Sequence, residues 1–346
     1  MNLSKLKQIL EDQPKFRLTQ VEQAIFKDLI EDWDEAQTLP KPLRDRLKTE
    51  CPLEITETHQ TSRDGNTTKT LITLQDGKKV EAVLMKHKPY KLIKSIIAPT
   101  QSSTRNSICV SCQVGCPMGC TFCETGKMGL VRDLTSEEIL EQIIFFARLL
   151  KKTDEKITNV TYMGMGEPFM NYDNVMDSIR TLNDPKTFNL GARRISISTC
   201  GIIEGIDQLA EENLELNMAI SLHAPNDPLR TKLMPSNIKH PLREILEAVD
   251  DYIAKTNRKV MFEYLLIQNE NDSEENAKEL ALLMKKHLYM VNLIPYNPTE
   301  TYKPSTPQTI RRFKEILEEE GINVTQRYSY GQDIKAACGQ LATEDS

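Results

Sequence analysis

Three cysteines stand in the run CPMGCTFC: Cys116, Cys120 and Cys123, separated by three residues and then by two. Thiols spaced this closely can hold a metal centre. A structural zinc takes four protein ligands, and no Cys or His pair of finger spacing lies nearby. An iron–sulfur cubane held by only three thiolates leaves one iron open to a cofactor or substrate. Cys112 could supply a fourth ligand, so closed zinc stands as the alternative. Five of the eight cysteines fall between Cys109 and Cys123. The first residues lack the apolar core and cleavage site of an export signal, which points to a reducing, cytoplasmic setting. There, clustered cysteines serve metal or redox chemistry rather than disulfide staples.

Other candidate groups lie downstream of the cysteine loop. The run Tyr162-Met163-Gly164-Met165-Gly166-Glu167-Pro168 puts two glycines and a carboxylate after an apolar segment. Glycine lets backbone approach a ligand, and Glu167 can receive an ammonium group. Alone, this run reads more readily as a strand–helix turn with a capping carboxylate. Ser198, Ser221-Leu222-His223 and Asn297 each end a short β-branched run. Converging, they suit a ribose and a carboxylate; singly, each suits a cap, as Ser198 could before Thr-Cys-Gly-Ile. Cys109 and Cys338 are isolated in the pattern, and a lone cysteine is usually a small buried hydrophobe.

The elements that must position these groups fall into regimes of different period. Residues 1–50 show apolar residues at three- and four-residue spacing in three helical stretches, with Val21, Ala24, Ile25 and Leu29 as one stripe. Residues 51–104 change to alternation, with Asp76-Gly77 as a hairpin turn, and read as a β extension ending in a basic linker. From 105 to 325, six strands (NSICVS, ITNVTYMG, RRISISTC, LNMAISLH, KVMFEYLLI and YMVNLIPYN) alternate with amphipathic helices. That pattern predicts an α/β fold, a parallel sheet curved into a partial barrel with its site at the C-terminal strand ends. A tail, 326–346, carries Cys338. The 346 residues hold 44 basic and 50 acidic groups, a net charge of −6, so nucleic-acid binding requires a local basic patch rather than overall charge. No apolar run is long enough to span a bilayer.

The three-cysteine loop with an aromatic before its last cysteine resembles the radical S-adenosylmethionine (SAM) superfamily. The ordered runs CVSxQVGCxxxCxFC, MGMGEP, SLHAPNDxLR, LMP, LIPYNP and AACGQL narrow this: together they resemble the radical-SAM adenine methyltransferases of RNA, the RlmN/Cfr type. The resemblance covers the chain from Cys109 onward, and FRLTQVEQAIFK and LPKPLRDRL extend it to the family's N-terminal RNA-binding accessory domain.

The resemblance implies the following roles. Cys116, Cys120 and Cys123 would hold a [4Fe–4S] cluster, and Gly166, Glu167, Ser198, Ser221, Leu222, His223 and Asn297 would contact SAM. Cys338 would be methylated by one SAM. A second SAM, cleaved reductively at the cluster, would generate the radical that takes hydrogen from the S-methyl group, so two are consumed per turnover. The activated methylene adds to an adenine carbon too electron-poor for polar methylation, and Cys109 then attacks the Cys338 sulfur, releasing product and forming a disulfide. Glu81 would accept a proton.

The implied substrate is large-subunit (23S) rRNA at carbon 2 of an adenine, with tRNA beside the anticodon as a further target. A flavodoxin or ferredoxin would supply electrons, and the enzyme would act as a monomer. Pro168 favours carbon 2 over the carbon-8 chemistry of the antibiotic-resistance branch. A non-catalytic, zinc-stabilised RNA-binding protein is the rival from another class. Two departures from the family pattern are Cys112, where serine is usual, and Glu124 after the last ligand. Lys86, Lys88, Lys91, Lys94, Arg193 and Arg194 are the candidate phosphate contacts.

Overall fold

The computed structural model describes residues 1, 3–87, 105–299, 301–327 and 331–343. Lys88, Lys91 and Lys94 lie outside them. Helices α1 (Ser4–Leu10), α2 (Phe16–Glu22) and α3 (Lys41–Glu50) form the N-terminal unit. Its own core includes Val21, Ala24, Ile25, Trp33, Leu43 and Leu47, each large apolar side chain contributing about 1.5–3 kcal/mol by burial. The expected stripe shifts at its end. A π turn, Gln23–Lys27, adds one residue to the helical repeat. Ile30 therefore takes the buried place expected of Leu29, which adopts a positive φ of 53°.

The strands are β1 (Glu57–Thr61), β2 (Thr67–Thr73), β3 (Lys79–His87), β4 (Arg105–Val110), β5 (Gln113–Gly115), β6 (Leu130–Asp133), β7 (Asn159–Tyr162), β8 (Ile195–Thr199), β9 (Asn217–Ser221), β10 (Val260–Leu266), β11 (Tyr289–Pro295) and β12 (Val324–Gln326). The β extension is not a separate unit. β1, β2 and β3 continue the main sheet, whose order is β1-β2-β3-β4-β7-β8-β9-β10-β11-β12. β3 joins antiparallel to β4, with Val83 opposite Cys109. Alternation hid this junction, because a strand's own pattern does not name its partner.

All six expected strands form, from β4 and β7 through to β11, with β12 added, and every pairing among them is parallel. They read as continuous apolar runs because helices cover their outer face. These helices are α5 (Ser136–Lys151), α6 (Tyr172–Asn183), α7 (Ile203–Ala210), α8 (Asp227–Leu233), α9 (Leu242–Thr256), α10 (Glu274–Leu283) and α11 (Pro307–Glu319), while α4 (Glu124–Lys127) is a single turn after the cysteine loop. The fold is thus the α/β partial barrel read from the sequence. Thr135 and Glu138 form a capping box that starts α5, a device contributing about 1 kcal/mol. The N-terminal unit docks on α5, where buried Arg148 donates to the carbonyls of Leu53 and Ile30. Among the described residues, no helix is long and apolar enough to cross a membrane.

Candidate active site

The loop after β4 is laced down before it reaches its cysteines. Cys116 N–H donates to Gly129 O at 2.9 Å. Gly115 has a φ of 76°, and a Cβ there would lie 1.9 Å from Gly129 O, so the β5–β6 hairpin closes only over glycine. Further along, Thr121 N–H donates to Leu233 O at 3.0 Å, and Glu124 N–H to Gly339 O at 2.9 Å. The loop is thereby pinned both to the end of α8 and to the C-terminal tail.

Cys116, Cys120 and Cys123 line a cleft at the C-terminal strand ends. Burial pushes the Cys116 thiol up to about 12 and raises Cys120 and Cys123 as well. Such thiols ionise when a cation takes the place of the proton, which fits a resident metal centre. Among the described residues no three His, Cys, Asp or Glu side chains converge as the ligands of a single ion; in a cubane the three thiolates bind different irons. Cys112 is not a fourth ligand facing the cleft: it is buried beneath Gly166, its Sγ 3.6 Å from Met165 O. The donor set fits the three-cysteine cluster.

Opposite these thiols, Gly166, Glu167, Ser198, Ser221 and His223 line the same cleft. Gly166 has a φ of 103°, and a Cβ would meet Gln113 Cβ at 2.7 Å, so the turn after β7 admits no side chain. Glu167 is buried, which raises its proton affinity, while the backbone N–H of Cys200 favours the ionised form. Its Oε2 accepts from Cys200 N–H at 2.8 Å and its Oε1 from Phe169 N–H at 3.1 Å, leaving further lone pairs for an ammonium ligand. Ser198 does not cap: the helix that follows has no side-chain cap, and it is Thr199 Oγ1 that accepts from Gly201 and Ile202 N–H in the turn before it. Ser198 Oγ instead faces Ser221 Oγ at 3.5 Å.

His223 is held neutral. Burial lowers its pKa to about 3. Its Nδ1 accepts from Leu265 N–H at 3.1 Å, which puts the ring proton on Nε2 as a donor. Phe122, the aromatic of the cysteine loop, packs edge-on against it, ring centroids 5.0 Å apart. Two expected cofactor contacts sit elsewhere. The Leu222 side chain is fully buried, and its N–H donates to Glu263 O at 3.0 Å. Asn297 faces the tail, its Nδ2 donating to Cys338 O at 3.2 Å and its Oδ1 accepting from Gln332 at 3.0 Å.

A second, smaller cavity adjoins the cleft and shares Met163, Ile294, Arg327 and Cys338 with it. It brings Cys109, from β4, together with Cys338, from the tail. Both are free thiols. Burial pushes Cys109 up to about 12, the nearby Cys338 adds to this, and Arg327 and Thr161 oppose it. Glu81 lies in neither cavity. Its buried carboxylate receives Ala342 N–H at 2.9 Å and Lys69 Nζ at 2.7 Å, anchoring the tail from outside.

Sequence reasoning missed three residues. Glu263 is a carboxylate inside the apolar run VMFEYLLI; it lines the cleft and accepts from Asn292 at 2.8 Å. Arg327 follows β12. Arg230, in SLHAPNDPLR, is fully buried and ties the rim together by donating to Ser221 O at 3.1 Å, Leu222 O at 3.2 Å and Asn237 Oδ1 at 2.7 Å. For Glu263, a charge within an apolar run was the available signal.

Of the expected phosphate contacts, the three that are described, Lys86, Arg193 and Arg194, lie at the end of the barrel opposite the cleft. Lys86 sits opposite Asn106, near the start of β4, and pairs with Glu155. Arg193 and Arg194 precede β8, and Arg193 pairs with Glu215 at 2.6 Å. The cations beside the tail are Lys69, Lys79 and Lys335, in a groove with Glu81 and Glu124, while Arg311 and Lys314 line another along α11.

Comparison with known proteins identifies the family. A family model described as the radical SAM superfamily matches residues 110–281. A protein of Dictyoglomus turgidum named probable dual-specificity RNA methyltransferase RlmN is 46% identical over 343 residues, covering 98% of this chain and 94% of that protein. The ribosomal RNA large subunit methyltransferase N of Nitrosopumilus maritimus is 43% identical, covering 95% and 93%. Among solved structures, a radical SAM methyltransferase from Sphaerobacter thermophilus superposes with a TM-score of 0.89 at 42% identity, over 99% of this chain and 97% of that one.

Proposed function

The chain belongs to the RlmN family of radical-SAM RNA methyltransferases, and from this premise we propose that it methylates carbon 2 of an adenine in large-subunit ribosomal RNA, and of an adenine beside the anticodon in transfer RNA. The family uses a [4Fe–4S] cluster and SAM. Cys116, Cys120 and Cys123 hold the cluster; Gly166, Glu167, Ser198, Ser221 and His223 receive SAM. When bound, the pair supplies one-electron cleavage of SAM and hydrogen abstraction.

The chain's own residues do the rest. Cys338 carries the methyl group from a first SAM to the adenine, and Cys109 attacks the Cys338 sulfur to free the product. The observation that supports this most directly is the shared cavity of Cys109 and Cys338, open to the cleft that holds the three-cysteine loop. Asn297 and Glu81 hold the tail in that place rather than touching SAM or the reacting carbon. Two SAM molecules are consumed per methyl transferred, one yielding S-adenosylhomocysteine and the other 5′-deoxyadenosine. Electrons come from a flavodoxin or ferredoxin, the enzyme acts as a cytoplasmic monomer, and residues 1–50 form an RNA-binding accessory unit.

The test is Cys109→Ala in the reconstituted enzyme. It should trap the RNA covalently on Cys338, visible as a protein–RNA band on a denaturing gel. An intact cluster with SAM cleavage but no such band overturns the assignment of the two thiols. Mass mapping of the product nucleoside separates carbon 2 from carbon 8.

A further inference from the structure

Among the described residues lining the thiol cavity, Arg327 alone carries a formal charge. It directly follows β12, and its N–H donates to Leu293 O at 2.8 Å, extending the β11–β12 ladder by one step and fixing its Cα. From there its side chain crosses the open side of the partial barrel. Nη1 comes 3.8 Å from Met163 Sδ, and Met163 follows β7, the parallel neighbour of the strand that carries Cys109. The guanidinium therefore spans the mouth from the last strand of the sheet to the strand beside Cys109. Below it, Glu263, Asn292 and Thr325 occupy one register row across β10, β11 and β12. They are joined by hydrogen bonds of 2.8 and 2.9 Å.

We propose that Arg327 is a positioning residue for the resolving thiol, its guanidinium stabilising Cys109 as a thiolate when it attacks the Cys338 sulfur. The proposal rests on the roles given to the two cysteines above. In that step Cys109 loses its proton and forms the S–S bond. The bond between the Cys338 sulfur and the methylene carbon breaks, its electron pair passes to that carbon, and the carbon takes a proton to become methyl; the proton released by one thiol balances the one taken up. No external oxidant or reductant enters.

The surroundings of Cys109 explain why a cation is needed there. β3 offers it the apolar Val83 and Met85, the tail offers Cys338, and β7 offers the Thr161 hydroxyl and the Met163 backbone N–H. Burial raises the thiol to about 12, and Arg327 supplies the positive charge that opposes it. On its other sides Arg327 faces Glu263, whose acidity it increases, and His87, which burial and two arginines keep neutral with a pKa of about 4. Neither adds a second cation to the cavity.

The experiment uses the full-length, cluster-loaded enzyme, SAM and an RNA hairpin with an unpaired target adenine, with Arg327→Gln and Arg327→Lys beside the unmodified protein. The rate at which the Cys338-linked RNA adduct resolves is measured per adduct formed, so any change in SAM cleavage cancels. In Arg327→Gln the adduct should persist, resolving at least about tenfold more slowly near neutral pH, the equivalent of one pKa unit, and accelerating as pH rises. Arg327→Lys should recover part of the rate. Resolution at the unmodified rate, a slow rate indifferent to pH, or an effect confined to the RNA concentration dependence overturns the proposal. Adduct formation itself shows that each variant folds. An absent adduct in Cys109→Ala defeats the underlying thiol roles instead, which separates the two failures.

Discussion

The cofactor cleft and the thiol cavity share a wall but are held in different ways. Within its largely apolar lining the cleft carries pre-bonded polar groups: Glu167, Thr199 and His223 each spend part of their hydrogen-bonding capacity on the backbone, so their remaining lone pairs and protons have fixed directions. The cavity is apolar apart from its thiols, Asn297 and Arg327, and it is closed by a tail rather than by strands. Polar groups fixed in this way suit recognition of a charged cofactor. A water-poor chamber suits a sulfur chemistry in which a reactive carbon must be kept from solvent.

The sharpest way to break this contrast is to remove one sulfur from each side. Cys120→Ala should abolish both the visible iron–sulfur absorbance and 5′-deoxyadenosine formation. Cys338→Ala should keep the absorbance and abolish RNA methylation, assayed by mass spectrometry of the nucleosides, together with the S-adenosylhomocysteine that accompanies methylation of Cys338. If both variants lose the chromophore equally, the two regions are one unit. A smaller effect is expected from Glu81→Gln, which replaces a carboxylate that holds Lys69 and the tail amide of Ala342. Methylation should fall about tenfold, as losing one charge-assisted contact would cause, with SAM binding by calorimetry unchanged. A comparable loss of SAM affinity would place Glu81 in the cleft after all.

A further effect concerns stability rather than activity. The neutral state of His223 is favoured in the fold, with its pKa lowered from 6.5 to about 3, so below pH 6.5 the unfolded chain binds the extra proton. Its contribution is full above pH 6.5 and declines as pH falls towards 3, by up to about 1.4 kcal/mol per pH unit. His223→Gln should flatten that part of the urea-unfolding profile of the cluster-free protein. An unchanged slope would show that the ring is solvated rather than buried.

Much of this architecture was legible because its signals are local. Six apolar β-branched runs between amphipathic helices, and thiols spaced by three and two residues, declare themselves within a dozen positions. What stayed hidden depends on partners distant in sequence. The antiparallel docking of Val83 on Cys109 joins two segments that alternation treats separately. Lys86, Arg193 and Arg194 look like an RNA patch in one dimension, but strand direction puts them at the end opposite the site. Arg327 has no motif of its own; it acquires meaning because the last strand of an unclosed barrel ends beside the first.

The way the tail is held carries one more consequence. Gly339 O receives the N–H of Glu124, and Leu341 O the hydroxyl of Thr125, so the segment bearing Cys338 is clipped to the turn immediately after Cys123. The placement of Cys338 is therefore tied to the conformation of the cysteine loop. Cluster-free protein should lose its C-terminal segment to limited proteolysis faster than the cluster-loaded enzyme; equal rates would show that the tail is seated without the metal.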